Sequence, residues 1–157
     1  MLNEKLKNHH IILASGSPRR QLFFKDLGID FEIRLKPVKE DYPSHLQHFG
    51  ISDYLAQLKA EPFKEELKDH DILITSDTIV WHNNQALGKP VNEADAYNIL
   101  NTINNCTHEV ITSVCFTTKT TQKTIPTHTI PRPRILHNII PCHPMPSDAN
   151  PCHAILS

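Results

Sequence analysis

What this chain lacks narrows it first. In 157 residues no apolar run approaches the length of a membrane span, and Met1-Leu2-Asn3-Glu4-Lys5 has no apolar core of the kind a secretory signal carries. Neither sign of charge dominates. The formal net charge is −1, which gives a nucleic-acid polymer or an anionic membrane no global attraction, although a local cationic pocket remains open. The four cysteines are irregularly spaced, with no Cys-x-x-Cys, so they read as reduced thiols. Neither Gly-x4-Gly-Lys-[Ser/Thr] nor Gly-x-Gly-x-x-Gly occurs, which disfavours P-loop and standard dinucleotide sites. The expectation is a soluble, cytoplasmic protein of one domain, with neither a membrane nor a nucleic-acid polymer as partner.

What is present begins with Leu13-Ala14-Ser15-Gly16-Ser17-Pro18-Arg19-Arg20. The apolar run His10-Ile11-Ile12-Leu13 before it reads as a buried strand. After it, Phe23 and Leu27 fall four apart on one helical face and Gly28 suits the stop. Ser17 fits the N-cap and Pro18 the first helical position. Two hydroxyls, unpaired N–H groups and two guanidinium groups thus meet at a helix start, a place that attracts phosphate. A capped surface helix with two solvated arginines is the competing reading.

Further along, Phe31 to Leu35 alternates as a half-buried strand, and Lys36 to Gly50, with Pro37 and Pro43, reads as a loop. Ile51, Tyr54, Leu55 and Leu58 recur at helical spacing, with Lys59 on the flank of the stripe. Asp71 to Ser76 reads as a central strand that ends at Asp77, with Thr78 to Trp81 continuing extended. Asn83-Asn84 is a tight turn. Glu93 to Asn105 is helical. His108 to Thr118 alternates, with apolar residues on both sides, so coverage on both faces is expected.

The character changes near Lys123. Pro126 to Ser157 holds seven of the twelve prolines, a single acidic residue (Asp148) and no glycine. It reads as poorly ordered or loosely extended, with a boundary between residues 1–124 and 125–157. Its His128, His137, Cys142, His143, Cys152 and His153 are zinc-type ligands at poor spacing. A shifted reading frame or a degraded gene end explains the abrupt change better. A docking role for the proline-rich stretch, with Pro141 and Pro144 as the nearest approach to Pro-x-x-Pro, is a weaker expectation.

Among charged groups, Asp77 stands out because strand ends in α/β sheets line ligand crevices. There a carboxylate binds metal, accepts a proton from water, or merely caps a turn. Lys89, between Gly88 and Pro90, is either aimed by a stiff loop or solvated. Lys59 is either a ligand or a snorkelling surface side chain. Glu40 and Asp41 lie in a proline-bracketed loop and offer hard oxygen ligands to a divalent cation. Together, cations at Arg19, Arg20, Lys59 and Lys89 and carboxylates at Glu40 and Asp77 suit metal-assisted phosphate-ester hydrolysis. Asn104-Asn105-Cys106 with His108 makes no convincing nucleophilic dyad.

Five segments in order resemble the Maf family: Leu13 to Arg20, Leu55-Ala56-Gln57-Leu58-Lys59-Ala60, Ser76-Asp77-Thr78, Leu87-Gly88-Lys89-Pro90, and Thr107-His108-Glu109-Val110-Ile111-Thr112. The resemblance implies a nucleoside triphosphate pyrophosphatase, nearest the branch acting on dTTP and UTP, that cleaves between the α and β phosphates with a divalent cation, Mg²⁺ or Mn²⁺. It implies a mixed α/β fold like inosine triphosphate pyrophosphatase, a twisted sheet flanked by helices around a central cleft, often as a homodimer. By resemblance Asp77 is the proton acceptor. Ser15, Arg19, Arg20, Lys59 and Lys89 hold the phosphates, Glu40 and Asp77 belong to the metal site, and Arg19 and Thr78 bear on substrate choice. The family's later Asp-Lys-Ala-Gly-x-Tyr-Gly-Ile-Gln motif has no counterpart after Thr124. The expectation is therefore a truncated or frame-shifted member whose C-terminal part is incomplete, with activity reduced or lost. The alternative is a non-catalytic nucleotide-binding remnant.

Overall fold

The computed structural model describes residues 2–131, and the zinc-ligand candidates beyond His128, with most of the proline-rich stretch, lie outside them. The described chain runs α1 (Leu2–Leu6), β1 (His10–Leu13), α2 (Pro18–Asp26), β2 (Glu32–Ile33), α3 (Phe49–Ala60), a 3-10 helix (Glu61–Glu66), β3 (Asp71–His82), β4 (Gln85–Leu87), α4 (Glu93–Ile103), β5 (Glu109–Thr117) and β6 (Gln122–Thr129). One mixed sheet carries the strands in the order β2-β1-β3-β5-β6, with β4 paired to β3 off that path. β1 is parallel to β2 and β3, whereas β3–β5 and β5–β6 are antiparallel.

β1 and the Ile72-Leu73-Ile74 start of β3 are apolar because these paired inner segments are covered on both faces. β3 alternates in what it touches. Leu73 packs with Ala60, Phe63 and Leu67, and Ile79 packs with Ile51 and Leu55 of α3. Thr75, between them on the same face, donates to the Ala56 carbonyl at 2.6 Å. On β5 the matching face is Ile111, Ser113, Cys115 and Thr117, all buried. Ser113 meets Ser52 of α3 Oγ to Oγ at 2.7 Å, so each polar side chain under the helix has a partner.

Four expectations need correction. β3 is one continuous twelve-residue strand, so Asp77 sits in its interior and not at its end. The reason is β5, whose pairing runs unbroken from Leu73↔Thr117 to Trp81↔Glu109. The expected strand from Phe31 to Leu35 shrinks to the two residues of β2, because its partner β1 itself stops at Leu13. The face of α2 expected to bury Phe23 and Leu27 is exposed, with Phe23 at 59%. Phe24 is the residue that turns inward, against Phe31 and the Ile11, Leu13 and Ile74 cluster. Finally, β5 is deeply covered on one face only: Phe116, on the opposite face, is 37% exposed.

Strand pairing continues past residue 124. β6 carries the sheet on to Thr129, pairing Val114↔Ile125, Ser113↔Pro126 and Val110↔Thr129. Among the described strands β6 stands at the sheet edge, and Pro126 is tolerated there because one side of an edge strand needs no donor.

Candidate active site

Asp77 owes its surroundings to a break in the sheet. On one edge β3 pairs with β1 through Ile74 and with β4 from Val80 onward. Between them, among the described residues, 75–79 have no neighbouring strand on that side. Ala14 still donates to the Ile74 carbonyl at 2.9 Å, and then the chain turns away through Ser15 and Gly16 into α2. The gap left in the sheet is the mouth of the site.

The start of α2 forms one wall. Pro18 occupies its first turn, and Ser17 takes the N-cap position without using its side chain as a cap. The Ser17 backbone N–H donates to Ser15 Oγ at 3.3 Å. The Ser17 and Ser76 Oγ atoms are both buried with no hydrogen-bond partner, and both residues line the site cavity. Orphaned hydroxyls at a helix start are donors waiting for an acceptor. Gly28 closes the same helix with φ 65°, accepting the left-handed turn that the sequence predicts there.

Arg19 and Arg20 part company. Arg20 turns inward, where one Nη donates to the Ser76 carbonyl at 3.0 Å and the other to Thr78 Oγ1 at 3.0 Å. Thr78 Oγ1 in turn lies 3.0 Å from Thr112 Oγ1 on β5. The guanidinium therefore grips the residues on either side of Asp77. Arg19 is exposed and lines a second, largely apolar groove of about 630 Å³, together with Thr78, Val80 and residues of the other β5 face.

The far wall holds the charges. Lys59, near the end of α3, donates to Asp77 Oδ1 at 2.6 Å and also sits 3.1 Å from Glu40 Oε1. Glu40 arrives on the loop after β2, and its Oε2 is 3.1 Å from Lys89 Nζ. Burial pushes the Asp77 carboxyl above its ordinary value, and Lys59 pulls the other way without overcoming it. Burial also pushes Glu40 up, but Lys59 and then Lys89 outweigh it and hold that group below the usual range. Two neighbouring carboxylates are thus driven apart in acidity, as a base and an ionised ligand would be.

Ser15, Arg20, Glu40, Lys59, Asp77, Thr78 and Lys89, seven of the residues singled out in the sequence, line one cavity of about 470 Å³. Arg19 stands outside it. Asp41 does not join Glu40: it turns to solvent and pairs with Lys39 at 2.6 Å, because adjacent residues of an extended loop point opposite ways. His128 lies on exposed β6, against Phe49, away from the cavity. Sequence reasoning counted the Ser17 hydroxyl at the helix start but missed the Ser76 carbonyl and Lys36, which lines the cavity with its ammonium 4.8 Å above the Phe63 ring. Nothing in the sequence marked Lys36.

Residues 10–134 match the model of the Maf family, described as "Maf-like protein". The chain belongs to the Maf family. Among curated Maf relatives, the chain is 63% identical over 120 residues to the dTTP/UTP pyrophosphatase of Flavobacterium johnsoniae, covering 76% of this chain and 62% of that protein. It is 57% identical over 119 residues to the dTTP/UTP pyrophosphatase of Flavobacterium psychrophilum, covering 76% and 61%. The chain thus spans about three fifths of the length of the curated relatives it matches. In fold it resembles the Ham1 protein of Staphylococcus aureus, at TM-score 0.57 and 15% identity over 77% of this chain and 70% of that one. The Maf match extends past residue 124 and takes in all of β6.

Proposed function

We propose that this Maf chain hydrolyses the α–β phosphoanhydride of dTTP and UTP, releasing a nucleoside monophosphate and pyrophosphate. The observation that carries this reading is the buried Asp77 carboxylate, set in a gap of the sheet between a helix start and the Lys59, Glu40 and Lys89 charges. The names of the curated relatives supply the substrates.

In this reading the triphosphate lies along the cavity. Ser15, the orphaned Ser17 hydroxyl and the first turn of α2 face its oxygens, with Lys59 and Lys89 as counter-charges. Asp77, raised in pKa by burial, takes the proton of the attacking water as the bond to the departing pyrophosphate breaks. Arg20 keeps Asp77 aimed by holding Ser76 and Thr78. Arg19 and Thr78, at the apolar groove next to the phosphates, bear on the choice of nucleotide.

A divalent cation, Mg²⁺ or Mn²⁺, fits the donor set. Two carboxylates from separate elements already converge on one cation, the Lys59 ammonium. Among the described residues no three His, Cys, Asp or Glu side chains gather, so Glu40 and Asp77 would share the metal with phosphate oxygens and water, as Mg²⁺ sites often do. The metal's chemistry is neutralisation of phosphate charge. A cytoplasmic location and a homodimer complete the proposal; among the described residues no helix is long and apolar enough to cross a membrane.

The test is pyrophosphate release from dTTP, UTP and the purine triphosphates with Mg²⁺ or Mn²⁺. Asp77→Asn should lower the rate by a factor of about 10²–10⁴. Saturable nucleotide binding with no pyrophosphate released would overturn the hydrolase reading in favour of a nucleotide-binding remnant.

A further inference from the structure

We propose that Lys59 is an internal counter-cation that competes with the divalent metal for Glu40 and Asp77, so that the metal enters with the triphosphate and not before it. The inference rests on the triphosphate reading of the cavity. It begins from one atom. Lys59 Nζ lies 2.6 Å from Asp77 Oδ1 and 3.1 Å from Glu40 Oε1, so the two carboxylates suited to a hard cation both engage the same ammonium. With Lys89 on the other Glu40 oxygen, two negative and two positive side chains cancel.

A metal ion approaching the free protein therefore meets no net attraction and has to displace an ammonium. Lys59 cannot easily swing aside. Its ammonium is largely shielded, and its helix is pinned by buried Ala60 and by the Thr75 bond to the Ala56 carbonyl. Lys89 differs, because its side chain is 65% exposed and can leave Glu40 for solvent. A triphosphate changes the balance at Lys59 by giving the ammonium other anionic oxygens. Glu40 and Asp77 are then released to the metal that arrives with the nucleotide. Such coupling is reciprocal: nucleotide tightens metal binding as much as metal tightens nucleotide binding.

The experiment titrates the full chain with Mn²⁺ and follows the free ion by electron paramagnetic resonance. Titrations are run with and without the α,β-methylene analogue of UTP, which cannot be cleaved at that bond. Lys59→Met should bind Mn²⁺ alone about tenfold or more tightly than the unsubstituted chain, because a positive charge in contact with both ligands is gone. Lys59→Arg, which keeps the charge, should bind Mn²⁺ alone as weakly as the unsubstituted chain. The gain in Mn²⁺ affinity on adding the analogue should be large in the unsubstituted chain and much smaller in Lys59→Met. Equal Mn²⁺ affinity in the unsubstituted chain and a Lys59→Met protein of unchanged circular dichroism would overturn the proposal, as would equal tightening in Met and Arg variants. If the chain releases no pyrophosphate while Lys59→Met still tightens Mn²⁺ binding, the competition stands and the hydrolase reading alone fails.

Discussion

Arg20 spends its guanidinium on the Ser76 carbonyl and the Thr78 hydroxyl, so its charge aims Asp77 as much as it faces a ligand. Removing it leaves a buried carbonyl without its donor. Arg20→Ala should therefore cost about 1–3 kcal/mol in urea unfolding. Arg19→Ala, at an exposed position, should stay within about 0.5 kcal/mol. Asp77 makes a second residue-scale prediction. Its carboxyl is raised in the fold by burial, so between its unfolded and folded pKa values the native state holds the extra proton. Stability then falls as pH rises through that window. Asp77→Asn should melt higher than the unsubstituted chain at a pH above that window, with the difference shrinking in acid below the ordinary carboxylate range, as calorimetry would show. In the proposed hydrolysis the rate should run the other way with pH, rising as Asp77 loses its proton.

At the scale of elements, α3 and β3 act as one unit. α3 lays Ile51 and Leu55 on the sheet and receives the Thr75 hydroxyl at its Ala56 carbonyl, which sets the height of Lys59 above Asp77. Thr75→Val keeps the shape but leaves that contact unmade. It should cost about 1–2 kcal/mol and also lower kcat, since the Lys59–Asp77 distance depends on it. Urea titration and pyrophosphate release on one preparation separate the two effects. Helix α2 depends on its ending: Gly28 sits at φ 65°, where a side chain is strained. Gly28→Ala should destabilise by about 1 kcal/mol, seen as a lower urea midpoint at unchanged slope.

For the molecule as a whole, the sheet is covered deeply on its α3 face and carries an apolar groove on the other, lined by Leu13, Val80, Val110, Val114 and Phe116. β6 protects β5 from becoming an open edge, and Gln57 of α3 donates to Thr124 at 3.0 Å across that boundary. A chain ending at Lys123 loses the ladder from Cys115↔Thr124 to Val110↔Thr129 and bares β5. It should express with lower soluble yield and elute as aggregate in size-exclusion chromatography.

Much of this was legible in the residues alone. The strand before Ala14, the helix from Pro18 with its glycine stop, the α3 stripe and the Asn83-Asn84 turn follow from period, capping and turn chemistry. These are short-range effects, decided within a few positions of the chain. The tertiary structure alone decided the rest. Arg20 meets Ser76 across 56 positions, Lys59 meets Asp77 across 18, and Lys89 meets Glu40 across 49. No local period encodes such distances. Asp77 came to lie inside a strand because β5 ran past it, and Phe23 stayed exposed because no described element covers that face of α2. The sequence supplied the charged groups that the candidate site brings together. Pairing between distant strands, and the burial that followed, decided which of them touch and how strongly each is charged.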